Sequence, residues 1–222
     1  DEQILEIHSA LISSRLDYDF LDDVAFASCS ANGGKLVLNG NEYKAVVIPS
    51  VCVLPLATVK ILAAFAECGG ALVAMQGFSP VDEDGLISDE YAACVAKIKA
   101  GENYFEIKRY REEEVVSVVK KFVADSVVSG ETSGVESMKR SDGENLMRLY
   151  VNRVEDKKTF VAEEEGFDYA ELWNAESGEI TVASGRKTAR GFAAEVTLDS
   201  YGSVIVVYKK GKPSGNICAE KT

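Results

Sequence analysis

The sequence predicts two domains of different class, an α/β domain built on a parallel sheet followed by an all-β sandwich. Three observations carry this. Ala45-Val-Val-Ile-Pro49 and Ala71-Leu-Val-Ala-Met75 are short unbroken apolar runs, the pattern of strands covered on both faces. Between them Leu56, Val59, Leu62 and Phe65 or Ala66 recur at helical spacing, so strand, helix and parallel strand form a right-handed crossover unit. Near Val128 the texture changes to short strands punctuated by turn residues. The α/β domain is thereby placed at residues 1–128, the sandwich at 129–211 and a polar tail at 212–222.

Each element has a local reason. Ile4, Leu5, Ile7, Leu11 and Ile12 give the first residues an apolar helical face. Leu16, Tyr18 and Phe20 alternate with Asp17 and Asp19, which predicts a half-exposed strand with the carboxylates in water. Lys35-Leu-Val-Leu38 and Glu42-Tyr43-Lys44 flank Asn39-Gly40, a hairpin turn pair. The crossover helix opens at Pro55 and closes at Gly69-Gly70, the usual asymmetry of helix ends. Residues 89–99 predict a helix and 104–110 a strand. Residues 112–123 are rich in valine, which favours a strand. Yet Glu112-Glu-Glu114 and Lys120-Lys121 match a helix dipole, and Val115, Val119 and Phe122 share a helical face, so a helix is predicted.

Ser129-Gly-Glu-Thr-Ser-Gly134 has linker composition. Strands are then predicted over residues 146–151, 159–162, 169–173, 179–183, 192–198 and 204–208. Asp142-Gly143, Ser177-Gly178 and Tyr201-Gly202 supply the turns between them.

The chain has 222 residues, 46% of them apolar, enough to build a core without disulfide or metal staples. Its net charge of −12 disfavours nucleic acid and anionic membrane surfaces as partners. No apolar run approaches the ~20 residues that span a bilayer. The opening Asp-Glu-Gln runs straight into a helical pattern, as in a piece excised from a longer chain. A single histidine, His8, leaves little for His-based catalysis or metal binding. Cys29, Cys52, Cys68, Cys94 and Cys218 show no C-x-x-C spacing, so no zinc site or disulfide framework is expected. Cys52 and Cys68 are expected as small buried hydrophobes.

The α/β half offers few letters for catalysis. The turn after Ile48 lacks the glycines of a dinucleotide fingerprint, so no cofactor is expected. No G-x-S-x-G or cysteine equivalent makes a nucleophile elbow. Cys52 follows a strand, but between Val51 and Val53. Asp17-Tyr-Asp19 has the spacing of a D-x-D metal motif, and Asp82-Glu-Asp-Gly85 is too short for a calcium loop. Glu163-Glu-Glu165 beside Gly166 is expected to be a hydrated charge run. No residue is assigned as catalytic or as a metal ligand. Trp173, the only tryptophan, could stack on a sugar ring; the competing expectation is that Leu172 or Trp173 anchors its strand in the core.

Glu171-Leu-Trp-Asn-Ala-Glu-Ser-Gly-Glu-Ile180 resembles a hairpin in the C-terminal regions of large bacterial glycoside hydrolases. These are the alpha-L-rhamnosidases of glycoside hydrolase family 106 and related sugar-binding-domain enzymes. Leu16-Asp-Tyr-Asp-Phe-Leu-Asp-Asp23, Tyr43-Lys-Ala-Val-Val-Ile-Pro49 and the stretch from Leu54 to Val73 are similar to further family segments in the same order. So are Met138-Lys-Arg-Ser-Asp-Gly143, Leu149-Tyr-Val-Asn-Arg153 and the stretch from Leu198 to Tyr208. Asn174 stands where the family usually has aspartate.

The resemblance implies a flavodoxin-like, class I amidotransferase-like domain followed by a β-sandwich. Both would be accessory to a separate (β/α)8 barrel whose carboxylates do the hydrolysis, so no catalytic residue carries over. The barrel would be the partner, with an oligosaccharide as a second one, and secretion or periplasmic export follows by family analogy. The family's first α/β strand precedes the opening helix, so an incomplete or edge-exposed sheet is expected. Two alternatives stand beside this reading: a carbohydrate-binding module acting through the sandwich and Trp173, and an amidotransferase-like enzyme using Cys52.

Overall fold

The computed structural model describes residues 2–123 and 127–213; Cys218 and most of the expected tail lie outside them. The described chain divides into two compact units. The first holds the residues up to Ala10 and those from Tyr18 to Val123; the second holds Leu11–Asp17 and everything from Val127 onward.

Helix α1 (Glu2–Ser13) is followed by α2 (Asp23–Ala27), where the Asp22 carboxylate accepts the Ala25 N–H at 2.8 Å and so starts the helix. Strands β1 (Ser30–Asn32), β2 (Lys35–Leu38) and β3 (Asn41–Tyr43) form a small antiparallel sheet in that order. Asn39 and Gly40, at φ 50° and 84°, make the β2–β3 turn in the left-handed region that this residue pair tolerates.

The parallel sheet then builds from β4 (Ala45–Ile48), α3 (Leu56–Glu67), β5 (Ala71–Met75), α4 (Asp89–Ala100) and β6 (Tyr104–Ile107), with α5 (Glu112–Val119) after it. Strand order is β4-β5-β6, with Ala45 opposite Ala71 and Leu72 opposite Tyr104. All five residues of β5 are buried, which is why this strand is an unbroken apolar run. Val59, Leu62 and Phe65 of α3 pack with Leu72, Ala74 and Tyr91 in the unit's core. At the end of α3, Gly70 N–H reaches Phe65 O at 2.8 Å and Gly69 N–H reaches Ala66 O at 3.1 Å, with Gly69 at φ 91°. This is a Schellman cap, and it needs glycine at Gly69. Helix α5 has its three glutamates in the first turn and buries Val115, Val118 and Val119, so the valine-rich segment is helical as expected.

Residues 16–22 do not form the expected strand. Arg15 sits at φ 57° and ends α1, and Phe20, expected to point inward, is 68% exposed. The aspartates stay exposed, as expected, but each also binds a partner: Asp19 accepts from the Tyr43 hydroxyl at 2.8 Å. Asp17 accepts the Lys139 N–H at 2.7 Å. Side-chain bonds of this kind compete with ladder formation.

The second unit is all-antiparallel. Its strands are β7 (Val127–Gly130), β8 (Val135–Ser141), β9 (Leu146–Asn152), β10 (Lys158–Glu165), β11 (Tyr169–Trp173), β12 (Ile180–Val182), β13 (Gly185–Lys187), β14 (Gly191–Leu198) and β15 (Ser203–Lys209). They form a four-stranded sheet, β13-β14-β10-β7, and a five-stranded sheet, β12-β11-β15-β9-β8. Leu146, Tyr150, Val206 and Tyr208 from one sheet share a core with Phe160, Ala162, Ala194 and Val196 from the other. The expected linker is corrected in part. Ser129 and Gly130 belong to β7, which pairs with β10 at Gly130–Phe160, so an open strand edge orders part of a stretch of linker composition.

Candidate functional site

In open α/β sheets, ligands meet the carboxyl ends of the strands, so the exit loops of the first unit form the candidate site. The loop after β4 and the loop after β5 pair again briefly beyond the sheet. Val53 and Val81 form a parallel bridge, Leu54 N–H donates to Val81 O at 3.0 Å, and Val81 N–H donates to Cys52 O at 3.0 Å. Tyr91 of α4, fully buried, sets its hydroxyl 3.1 Å from Leu54 O and 3.0 Å from Val81 O. One hydroxyl proton thus serves carbonyls on both loops. Burial, with the Asp82 charge adding to it, pushes the Tyr91 phenol up to about 12.

Directly after the central strand, Gln76 lies at φ 44° and Gly77 at φ 68°. A left-handed residue following a strand is the geometry by which an elbow presents a nucleophile. Here the residue is an exposed carboxamide, which donates and accepts hydrogen bonds but does not attack a carbonyl. The turn carries no G-x-S-x-G; Gln76-Gly77 after an apolar run is its only sequence signal. Cys52 is exposed on the loop after β4, contrary to the expectation of burial, because its carbonyl rather than its side chain joins the loop pairing. Cys68 is half-buried, with Sγ 3.3 Å from Phe65 O. His8 is half-buried on α1, and its Nδ1 is hydrogen-bonded to the Tyr18 hydroxyl. Asp82 closes its own turn, accepting the N–H groups of Asp84 at 3.1 Å and Leu86 at 2.6 Å.

The second unit holds two buried charge clusters. Arg148 of β9, 2% exposed, donates from Nε to Glu164 Oε1 of β10 at 2.7 Å. Its Nη1 reaches Asp17 Oδ2 at 3.3 Å and Ser137 Oγ at 3.5 Å. Burial works against the guanidinium charge, but Glu164, Tyr150 and Asp17 outweigh it and hold Arg148 above its usual range. The expectation of a hydrated 163–165 run is therefore corrected. Strand alternation turns Glu164 inward, while Glu163 accepts from Thr188 Oγ1 at 2.6 Å on the other face. Asp17 and Asp19 take separate partners and share no cation geometry. Among the described residues, no three His, Cys, Asp or Glu side chains gather as metal ligands would.

Spacing i, i+2 on β11 puts Glu171 and Trp173 on one face and Ala170 and Leu172 on the other, where they join the core. Glu171, 1% exposed, accepts Trp173 Nε1–H at 2.9 Å and Lys209 Nζ at 2.8 Å. The Lys209 ammonium lies 5.7 Å from the centre of the half-buried indole, a cation–π distance. Leu172 thus fills the core position, and Trp173 is fixed on the outer face. Asn174 closes the β11–β12 hairpin, its Oδ1 accepting from Glu176 and Ser177 N–H at 2.9 and 3.0 Å. A carboxylate at this position would accept the same two bonds.

No protein-family model and no curated protein matches the chain. Solved structures do. A rhamnosidase from Novosphingobium sp. PP1Y aligns with a TM-score of 0.69 at 22% identity, over 94% of this chain and 21% of that one. A beta-galactosidase from Bacillus circulans sp. alkalophilus gives 0.63 at 10% identity, over 93% and 37%. Alpha-L-fucosidase isoenzyme 2 from Paenibacillus thiaminolyticus gives 0.55 at 8%, over 94% and 45%. The chain therefore has a fold found within glycoside hydrolases, and spans between about a fifth and under a half of their length.

Proposed function

We propose that this chain is a non-catalytic accessory portion of a bacterial glycoside hydrolase resembling the alpha-L-rhamnosidases. In this reading residues 1–128 form a flavodoxin-like, amidotransferase-like domain and 129–211 a β-sandwich, which together brace a separate catalytic barrel. One observation carries the reading: nearly the whole chain aligns with a minor part of much longer enzymes named for rhamnose, galactose and fucose. A part shared by enzymes of three sugars is better suited to support than to sugar selection. The buried ion pairs agree with it, since Arg148, Glu164, Glu171 and Lys209 engage one another rather than an open cleft. The test is turnover by the 222-residue chain on aryl alpha-L-rhamnosides and beta-galactosides. None is expected, and hydrolysis above the uncatalysed rate overturns the proposal.

A second reading, a carbohydrate-binding module, draws on the fixed outward Trp173. Calorimetry with oligosaccharides separates the two: tight binding abolished by Trp173→Ala favours the module.

A further inference from the structure

The exit loops of β4 and β5 carry an apolar exposure that the fold itself does not use. Val53 is 50% exposed, Leu86 63% and Ile87 59%. Backbone pairing brings them to one place: Val53 is in register with Val81, and the Asp82 N–H donates to Leu86 O at 3.1 Å, folding the tip of the second loop back on its base. The loops are also held in shape, since the buried Tyr91 hydroxyl ties Leu54 to Val81 and the Asp82 carboxylate ties down Leu86. Ordering a loop is part of the cost of association, and here it is met before any partner arrives.

Charge selects the occupant. Between Lys60 and Lys97 the sequence has no lysine or arginine, while residues 82–90 contain five carboxylates. Asp82 is engaged in its own turn and Glu90 pairs with Lys60 at 2.8 Å. Glu83, Asp84 and Asp89 have no ion-pair partner among the described residues. A second copy of this chain would set this acidic rim against itself, and an anionic membrane would repel it.

We propose that these loops form a preformed protein-docking surface with Val53, Leu86 and Ile87 at its centre and Glu83, Asp84 and Asp89 at its rim. Its occupant is an apolar surface rimmed by lysine and arginine on the part of the longer glycosidase that carries the catalytic barrel. The choice of occupant rests on the accessory reading above; the patch itself does not.

Hydroxyl-radical footprinting of the full-length polypeptide against the 222-residue chain tests this. Oxidation at Val53, Leu86 and Ile87 is expected to fall several-fold in the full-length protein. Leu86→Glu with Ile87→Glu is expected to restore labelling at Val53 while leaving the melting temperature of the 222-residue chain unchanged. Equal labelling in the two forms overturns the proposal. If labelling is equal at these loops but falls elsewhere on the chain, the patch fails and the accessory reading stands. Glycoside hydrolysis by the 222-residue chain itself, or a natural polypeptide no longer than it, overturns that reading and the assigned occupant together. Concentration-dependent protection of Leu86 and Ile87 in the 222-residue chain alone makes a second copy the occupant and overturns the assignment made here.

Discussion

Arg148 on β9 and Glu164 on β10 meet at 2.7 Å between the two sheets of the second unit, one 2% and the other 7% exposed. A buried pair of this kind is held together as much by the cost of separating it as by its own attraction. Removing either partner leaves a charge in a place from which water is excluded.

Arg148→Met or Glu164→Leu alone is therefore expected to cost ~3–5 kcal/mol in urea unfolding. The double variant is expected to recover most of the loss, because no unpaired charge remains buried between the sheets; Asp17, released from Arg148, keeps the Lys139 N–H and reaches water. Equal losses in the single and double variants would show that packing of the Arg148 stem, not its charge, is what matters.

Glu171 poses the same question on the outer face, where one carboxylate serves both Trp173 and Lys209. Glu171→Ala strands the ammonium and frees the indole N–H, with an expected cost of ~2–4 kcal/mol. Trp173 is the only tryptophan, so its emission reports this cluster alone. A red shift in folded Glu171→Ala is expected, with a smaller one in Lys209→Met.

Tyr91 gives the first unit an alkaline limit. Its phenol ionises near pH 10 in the unfolded chain and near about 12 in the folded one, so between these values the unfolded chain holds fewer protons. The contribution is complete below pH 10 and is lost as pH rises through about 12. The loss is expected to be ~2–3 kcal/mol, converted at the usual free energy per pKa unit. Denaturation at a series of pH values should show a shallower alkaline decline in Tyr91→Phe, at the price of lower stability at neutral pH.

Gly191 opens β14 against the end of β10. A Cβ there would lie 2.1 Å from Glu164 O, a backbone atom with no room to move aside. Gly191→Ala is expected to destabilise by ~2 kcal/mol or more, read as a lower urea midpoint. Gly178→Ala also carries a strain cost from its φ of 71°, but nothing crowds its Cβ position, so a smaller loss is expected.

What the sequence determined by itself is the part of the protein set within a few residues. The all-buried β5, the Asn39-Gly40 turn, the glycine cap after α3 and the alternating strands of the second unit each follow from neighbouring side chains, and so were legible. Even the choice of helix for the valine-rich 112–119 segment followed from glutamates in its own first turn. The exit loops were visible only as gaps between elements. Their bridge at Val53–Val81, the left-handed Gln76 and the Tyr91 staple appear once β4 and β5 lie side by side. The fate of the charges was decided by tertiary structure alone. Asp17 and Arg148 stand 131 residues apart, and Glu164 turns inward while its neighbours turn out. A carboxylate looks the same in sequence whether water or a guanidinium will neutralise it, and strand pairing across the fold decides which.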